Sequence, residues 1–185
     1  MTKQNGVFSF EELKAAIAGG VIKGSSPIEE RQIQPASMDL RLGTTAYRVA
    51  ASFLPGPGTT VKRKIDELQL YELDLGTPKV LEKGYVYIVP LMESVKLPKT
   101  YCGRANPKST TGRLDVFTRL ITDYCVEYEF IDTEYAGPLY VEIVPLNFSI
   151  VVQAGTKLNQ LRIIRGGRAD PNVDLSDTAL EDLDV

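Results

Sequence analysis

The chain has 185 residues, of which 43% are apolar and 24% charged, as expected for one globular domain and not for a disordered, collagen-like or disulfide-scaffold chain. Its 24 acidic and 21 basic residues leave a formal charge of −3, so overall charge favours neither nucleic acid nor an anionic membrane, and a bound anion needs a local basic cluster. The absence of histidine excludes Ser-His-Asp and Cys-His nucleophilic catalysis, HExxH zinc sites and histidine acid/base chemistry.

The first predicted element is a short amphipathic helix. Ser9 and Glu12 have the spacing of a capping box, which satisfies backbone N–H groups at a helix start. Leu13 and Ile17 recur at helical spacing, and Gly19 follows as a stop signal. We predict a helix of about 10 residues.

Short β-strands follow this helix. The first run ends at Gly43, the second is closed by Pro90, and turn residues at 145–147 and 154–156 separate the last three. Many short strands with few helices predict a mainly β, antiparallel barrel or sandwich, and the lack of long crossover helices argues against a doubly wound fold. The predicted strands are residues 38–42, 85–89, 139–144, 148–152 and 158–164.

Two segments are predicted to lack regular structure. Residues 53–60 contain two Pro-Gly pairs and precede the basic run 62–64, which is typical of a mobile surface loop, with a ligand contact as the alternative. Residues 169–185 are acidic and form either a solvated tail or the start of a linker or second module, in which Ser176 could cap a helix. We predict one β domain over residues 1–168.

The segment 34–43 is the first of three that concentrate polar residues. Asp39 and Arg41 are two positions apart in the predicted strand, so their side chains share one face of it. A structural ion pair or cross-strand pairing explains both residues. We prefer this structural interpretation to a direct catalytic role.

The second segment, 103–115, is basic. Between positions 101 and 122 the chain has four cations, Arg104, Lys108, Arg113 and Arg119, against Asp115, a local charge of +3. Glycines and small hydroxyl residues let backbone N–H groups approach an anion, so the segment is a candidate phosphate cradle. The GxxxxGK[ST] spacing of a P-loop is missing. A solvated basic turn explains these residues equally well.

The third segment contains Glu142, in the middle of the predicted strand 139–144. Alternation places Val141 and Ile143 on one face, and Tyr140 and Glu142 on the other. A carboxylate among large apolar neighbours is uncommon unless water or a partner satisfies it. The strand therefore has either an exposed outer face or a carboxylate placed in a pocket to transfer protons.

Five motifs, in order along the chain, resemble those of the dCTP deaminase family in the dUTPase-like superfamily. The motifs are Pro-Ala-Ser-Met-Asp-Leu-Arg-Leu-Gly at 35–43, Lys-Ser-Thr-x-x-Arg-Leu at 108–114, Ile131-Asp132 with Gly137, the strand of Glu142, and 154–161. Residues 105–120 also resemble a two-domain form with two such modules in one polypeptide. The resemblance implies a distorted jelly-roll or β-barrel of the β-clip type with a short N-terminal helix. It also implies a trimer or pseudo-trimer with active sites at subunit interfaces.

The resemblance further implies a reaction and the residues that carry it. The family converts dCTP and water to dUTP and ammonia without zinc, and Mg²⁺ binds through the substrate triphosphate. Glu142 matches the general base, which takes a proton from water as hydroxide attacks C4 of cytosine. Ser109 and Arg113 match residues that position this water and offset charge. The implied substrate-binding residues are Lys108 and Thr110 at the triphosphate, Asp132 near the sugar, and Arg104 and Gln160.

Several departures from the family pattern affect substrate recognition. Lys108 stands where the family has arginine, so a point charge replaces a bidentate fork. Asp115 replaces a glycine, and residues 123–130, in a region that normally contacts the base, are longer than in short members. The glycine- and glutamine-containing C-terminal lid of the family is not found in the sequence, so we expect closure over the triphosphate to depend on a second half.

Two alternative functions remain open. A dUTP diphosphatase-like hydrolase would use Asp132 to activate water for attack on phosphorus. A non-catalytic module of a duplicated dCTP deaminase would keep the fold and an interface while the other half completes the site. The missing lid motivates this second alternative.

The expected location is the cytoplasm. Cys102 and Cys125 form no CxxC pair and are expected to be free thiols, although a single disulfide between them stays open. Residues 1–6 are polar, and no run approaches the ~18 apolar residues of a membrane span. We expect a deoxynucleotide partner, no nucleic acid and no membrane.

Overall fold

The computed structural model describes residues 5–166, which form mainly β-strands. The helices are α1 (Phe10–Ala18), α2 (Val61–Leu68) and α3 (Ser109–Arg113), with a 3₁₀ turn at Glu30–Gln32. The strands are β1 (Gly6–Val7), β2 (Ile22–Gly24), β3 (Met38–Arg41), β4 (Thr45–Val49), β5 (Gln69–Asp74), β6 (Lys79–Leu81), β7 (Val86–Lys96), β8 (Tyr101–Pro107), β9 (Val116–Thr122), β10 (Phe130–Ile131), β11 (Ala136–Pro145), β12 (Ile150–Val152) and β13 (Lys157–Arg165).

Two antiparallel sheets form the body of the protein. The first has the order β1-β13-β8-β10, with β3 also paired to β13. The second has the order β5-β4-β7-β11-β9, with β2 paired to β7, and β6 and β12 make a separate ribbon. The main core lies between the two sheets and contains residues of both, such as Leu40 and Val141. The predicted mainly β, distorted jelly-roll fold with a short N-terminal helix is confirmed.

Helix α1 is also confirmed, with the predicted start and end. The backbone N–H of Ser9 donates to the Glu12 carboxylate at 3.0 Å, and Leu13 is fully buried. Gly20 follows the helix with φ +73°, a conformation that glycine adopts without strain. Sequence signals within about ten residues were sufficient to predict this helix.

Strand β7 runs through Pro90, so the predicted end of this strand was wrong. The carbonyl of Pro90 accepts a hydrogen bond from Gly43 N at 2.8 Å, and the neighbouring ladder with β4 already stops at Ile88. The nitrogen of Pro90 faces this same side, where only an isolated bridge, from Leu42 to Leu91, follows the β4 ladder. Proline is tolerated in a strand under this condition.

The basic run 62–64 belongs to helix α2 and not to a loop, whereas residues 53–60 lack helix and strand as predicted. The Thr60 side chain caps the helix by accepting from Arg63 N at 3.3 Å. Lys62 pairs with Asp66 at 2.6 Å, so the cations form a solvated face. The buried face of α2 packs on the side of the second sheet opposite to the main core.

Asp115, where the resemblance implies a glycine, has φ +51°. We expect Asp115→Ala to lower the free energy of unfolding by about 1–2 kcal/mol, because alanine keeps the strained backbone and loses the hydrogen bond from Asn147. Asp115→Gly removes the strain and should be more stable than the alanine variant by about 1 kcal/mol. Urea unfolding measures both variants, and an alanine variant as stable as the glycine variant would contradict this account.

The remaining predictions on the fold concern the cysteines and the tail. Cys102 and Cys125 are both free thiols, so the disulfide left open above does not form. Within residues 5–166, no helix combines the length and the apolar character needed to cross a membrane. The acidic segment 169–185 and the helix that Ser176 would cap lie outside the described residues.

Candidate active site

Glu142 lies in the centre of β11, between β7 and β9. Alternation places it on the face of the second sheet that packs under α2, and its side chain is 0% exposed. The interpretation of this face as an exposed outer surface is therefore wrong. A buried carboxylate needs compensating partners, because desolvation penalises the charge.

The partners of Glu142 are a guanidinium and a hydroxyl. Arg119 donates from Nη2 and Nε to Glu142 Oε1 at 2.5 and 3.1 Å, and Ser52 Oγ donates to Oε2 at 2.6 Å. Arg119 Nη2 also donates to Ser52 Oγ at 2.7 Å, and Tyr128 OH lies 3.1 Å from the same Oγ. We call Ser52, Arg119, Tyr128 and Glu142 the Glu142 network. Arg119 and Ser52 supply the guanidinium and the hydroxyl that were predicted beside Glu142, but the residues predicted for these roles were Arg113 and Ser109.

Ser109 and Arg113 lie on α3, where both are exposed. The helix is held by Thr111, whose hydroxyl donates to Leu158 O at 2.9 Å. Within the described part of the chain, neither Ser109 nor Arg113 forms a hydrogen bond with Glu142. One copy of the chain does not bring the three predicted catalytic residues together, and their joint role stays a prediction.

The outer face of the first sheet does bring predicted substrate-binding residues together. Gln160 lies opposite Asn106, and Arg104 lies two positions along β8 on the same face. Arg162, which the sequence analysis missed, is directly opposite Arg104. Like charges in this position repel unless an anion compensates them. This face could therefore hold phosphate groups, with the exposed Thr110 on the neighbouring α3.

Asp39 and Arg41 do not pair with each other. Asp39 forms an ion pair with Lys108, so the predicted triphosphate ligand already has an anionic partner. Arg41 Nε pairs with Glu93 at 2.8 Å inside the protein. The predicted structural role of Asp39 and Arg41 therefore consists of ion pairs with other segments, and not of an ion pair between the two residues.

Asp132 lies at a cavity of about 400 Å³, within the range of small-molecule sites. The longer segment 123–130 supplies one wall, including Tyr124 and Glu127. Asp123 and Glu134 add further carboxylates. Glu142 is not part of the cavity wall, so a substrate that contacts both Asp132 and Glu142 has to reach beyond this cavity.

Glu129, in the same segment, is a carboxyl group in an unusual environment. Its φ is +66°, its Oε1 accepts from Leu120 N at 3.2 Å, and its buried Oε2 has no hydrogen-bond partner among the described residues. Burial raises the pKa of Glu129 to about 7, against a smaller opposing effect of hydrogen bonding from Leu120 and the charge of Arg119. Glu129 therefore stays protonated to a higher pH in the folded protein than in the unfolded chain.

The raised pKa of Glu129 predicts a stability that falls as pH increases. Because the unfolded carboxyl ionises near pH 4.5 and the folded one near pH 7, the free energy of unfolding should fall between these values by roughly 1–3 kcal/mol. Glu129→Gln should stabilise the protein by that amount at pH 8 and by under about 1 kcal/mol at pH 5. Urea unfolding at both pH values tests this, with Glu67→Gln on the surface as control; equal effects at pH 5 and pH 8 would contradict it.

Comparisons with known proteins agree with the motifs. A family model described as the 2′-deoxycytidine 5′-triphosphate deaminase (DCD) N-terminal domain matches residues 4–167. A protein of Mycobacterium sp. (strain KMS) named "dCTP deaminase, dUMP-forming" is 29% identical over 160 residues, covering 86% of this chain and 80% of the relative. A protein of Nocardia farcinica (strain IFM 10152) with the same name is 30% identical over 160 residues, covering 86% and 76%.

A solved structure is similar over most of this chain. The crystal structure of 2′-deoxycytidine 5′-triphosphate deaminase from Agrobacterium tumefaciens matches with a TM-score of 0.86 and 50% sequence identity. The match covers 89% of this chain and 49% of that chain. The chain described here therefore spans about half the length of the Agrobacterium protein.

Proposed function

Because the chain belongs to the family of 2′-deoxycytidine 5′-triphosphate deaminase N-terminal domains, we propose that it hydrolyses dCTP to dUTP and ammonia. The observation that carries this proposal is the buried carboxylate of Glu142, held by a guanidinium and a hydroxyl at hydrogen-bond distance. Such a carboxylate can accept a proton from water without histidine or zinc.

The proposed reaction has two proton transfers through Glu142. Glu142 takes a proton from water while the hydroxide oxygen bonds to C4 of cytosine. Glu142 delivers this proton to N3. The proton of the new C4 hydroxyl then passes through Glu142 to the amino group, the C4–N4 bond breaks as the C4 carbonyl forms, and ammonia departs. General-base catalysis of this kind supplies about 10²–10⁴ in rate.

The other two predicted catalytic residues, Ser109 and Arg113, are proposed to reach Glu142 from a second copy of the chain or a second module. Ser109 and Arg113 are exposed and have no hydrogen bond to Glu142 in one described chain, which supports a site shared between neighbours in a trimer or pseudo-trimer. In this proposal they position the water and offset charge at Glu142. Light scattering of the purified chain measures the assembly.

The triphosphate is proposed to bind at the outer face of the first sheet. The like-charged pair of Arg104 and Arg162 supports this placement, and Lys108, Thr110 and Gln160 lie beside it. Mg²⁺ enters as part of the substrate, bound to phosphate oxygens. Asp132 is proposed to contact the sugar from its cavity. The reaction is assigned to the cytoplasm.

Product analysis with dCTP, dUTP and CTP in parallel tests the function. Release of ammonia and dUTP from dCTP supports the proposal. Release of pyrophosphate from dUTP without ammonia from dCTP would instead favour the diphosphatase alternative. Release of both ammonia and pyrophosphate from dCTP would make dUMP the product, as in the names of the relatives. No product from any of the three nucleotides would overturn the proposal and favour a non-catalytic module.

A further inference from the structure

The Glu142 network is closed within the chain before any substrate binds. Ser52 has one hydroxyl proton, which it donates to Glu142 Oε2. Its lone pairs then accept from Arg119 Nη2 and from Tyr128 OH. Each contact has one consistent donor and one acceptor, and Glu142 accepts at both carboxylate oxygens.

Arg119 is fixed in place by the sheet and by aromatic rings. It is directly opposite Glu142 in the ladder between β9 and β11, so the two side chains leave the same face. The Arg119 guanidinium lies 3.6 Å from the ring centroid of Tyr128 and 4.8 Å from that of Phe117. Its side chain is 25% exposed, against 0% for Glu142. The stacked guanidinium has little freedom to turn away from the carboxylate.

Ser52 comes from a different part of the chain. It follows β4, 90 residues before Glu142 in sequence, and it is exposed. Ser52 therefore bridges the buried carboxylate and the protein surface. A hydroxyl donor in this place occupies one lone pair of Oε2 and helps to fix the orientation of the carboxylate.

We propose that Arg119 and Ser52 are positioning residues, which fix the Glu142 carboxylate and aim its Oε2 oxygen at the attacking water. This inference rests on the proposed function, since it assigns residues to the same reaction. It adds two groups, one on β9 and one after β4, to those implied by the motifs. Neither touches the substrate; both act through Glu142.

The kinetic test replaces each residue in the full chain. Arg119→Gln should lower kcat for dCTP about 100-fold, the effect expected when a reacting group is displaced by about 1 Å. Arg119→Lys should fall between Arg119→Gln and the wild type, because lysine keeps the charge and loses the fork. Ser52→Ala, at an exposed position, should lower kcat about tenfold. KM should change less than about threefold in all variants, because no phosphate contact is lost.

Arg63→Gln is the matched control, because Arg63 is an exposed arginine that pairs with Glu67 on α2. It should leave kcat and KM unchanged. A raised KM with unchanged kcat in the Arg119 and Ser52 variants would assign these residues to substrate binding and overturn the proposal. Unchanged kcat in Ser52→Ala and Arg119→Lys, both expected to fold, would also overturn it.

A spectroscopic measurement separates this inference from the proposed function. The infrared spectrum of the protein minus that of Glu142→Gln isolates the carboxylate band of Glu142. A second difference, between Arg119→Gln and the double variant Arg119→Gln/Glu142→Gln, gives the same band without Arg119. This band should be shifted, because the Glu142 carboxylate loses its two hydrogen bonds from Arg119. A shifted band in a chain that releases no ammonia would contradict the proposed function and support the positioning. An unshifted band would overturn the positioning even in an active enzyme.

Discussion

Glu142→Gln should lower kcat for dCTP deamination by at least about 100-fold and up to about 10⁴-fold. Glutamine has nearly the shape of glutamate and can still accept from Arg119, but its amide cannot take a proton from water. The variant therefore removes the base with little change in packing. Ammonia release under saturating dCTP and Mg²⁺ measures the effect.

Two further variants show whether the loss belongs to the proton transfer. Glu142→Asp keeps the charge and shortens the side chain, so kcat should fall between the wild type and Glu142→Gln. Glu67→Gln removes an exposed carboxylate that pairs with Lys64 and should not change kcat. Turnover by Glu142→Gln within about tenfold of the wild type would remove Glu142 from the role of general base.

Glu93→Gln should lower the free energy of unfolding by roughly 3–5 kcal/mol. Glu93 is 0% and Arg41 is 8% exposed, so the substitution leaves a buried guanidinium without its counter-charge. The Glu93 carboxylate also accepts from Arg41 N at 2.8 Å and from Gln32 Nε2 at 3.0 Å. Because these bonds join β3 to β7, their loss weakens the contact between the two sheets. Urea unfolding followed by circular dichroism measures the change.

The surface provides the control for this measurement. Glu67→Gln breaks the exposed pairs of Glu67 with Arg63 and Lys64 on α2, and we expect a change of no more than about 1 kcal/mol. A change of similar size in Glu93→Gln would show that the buried pair contributes no more than a solvated one. That outcome would contradict the structural role assigned to Arg41.

Features specified by neighbouring residues were predictable from the sequence. The helix α1 follows from its capping residues and its apolar spacing, and the strand of Glu142 follows from alternation. The end predicted at Pro90 was wrong because the environment of that proline depends on Gly43, which is remote in sequence. Helix α2 was not predicted, although Thr60 is a suitable capping residue and Val61 and Ile65 have helical spacing. The preceding Pro-Gly pairs indicated a loop instead.

The surroundings of Glu142 could be predicted only in part. Its position in a strand and the likeness to a family base were visible in five motifs. Arg119 could be found only with the register of β9 against β11, which depends on the length of the connection between them. Ser52 has no local signal, since it meets Glu142 through the path of the chain after β4. Which residues meet Glu142 from distant parts of the chain depends on the topology of the fold and not on the local sequence.

The ion pair between Lys108 and Asp39 neutralises one of the four cations of the basic segment. In the proposed site, a phosphate that binds Lys108 takes the place of a counter-ion that belongs to the polypeptide and cannot diffuse away. Such an exchange would release one fewer mobile salt ion than binding to a bare lysine, so the proposed contact should depend less on salt concentration.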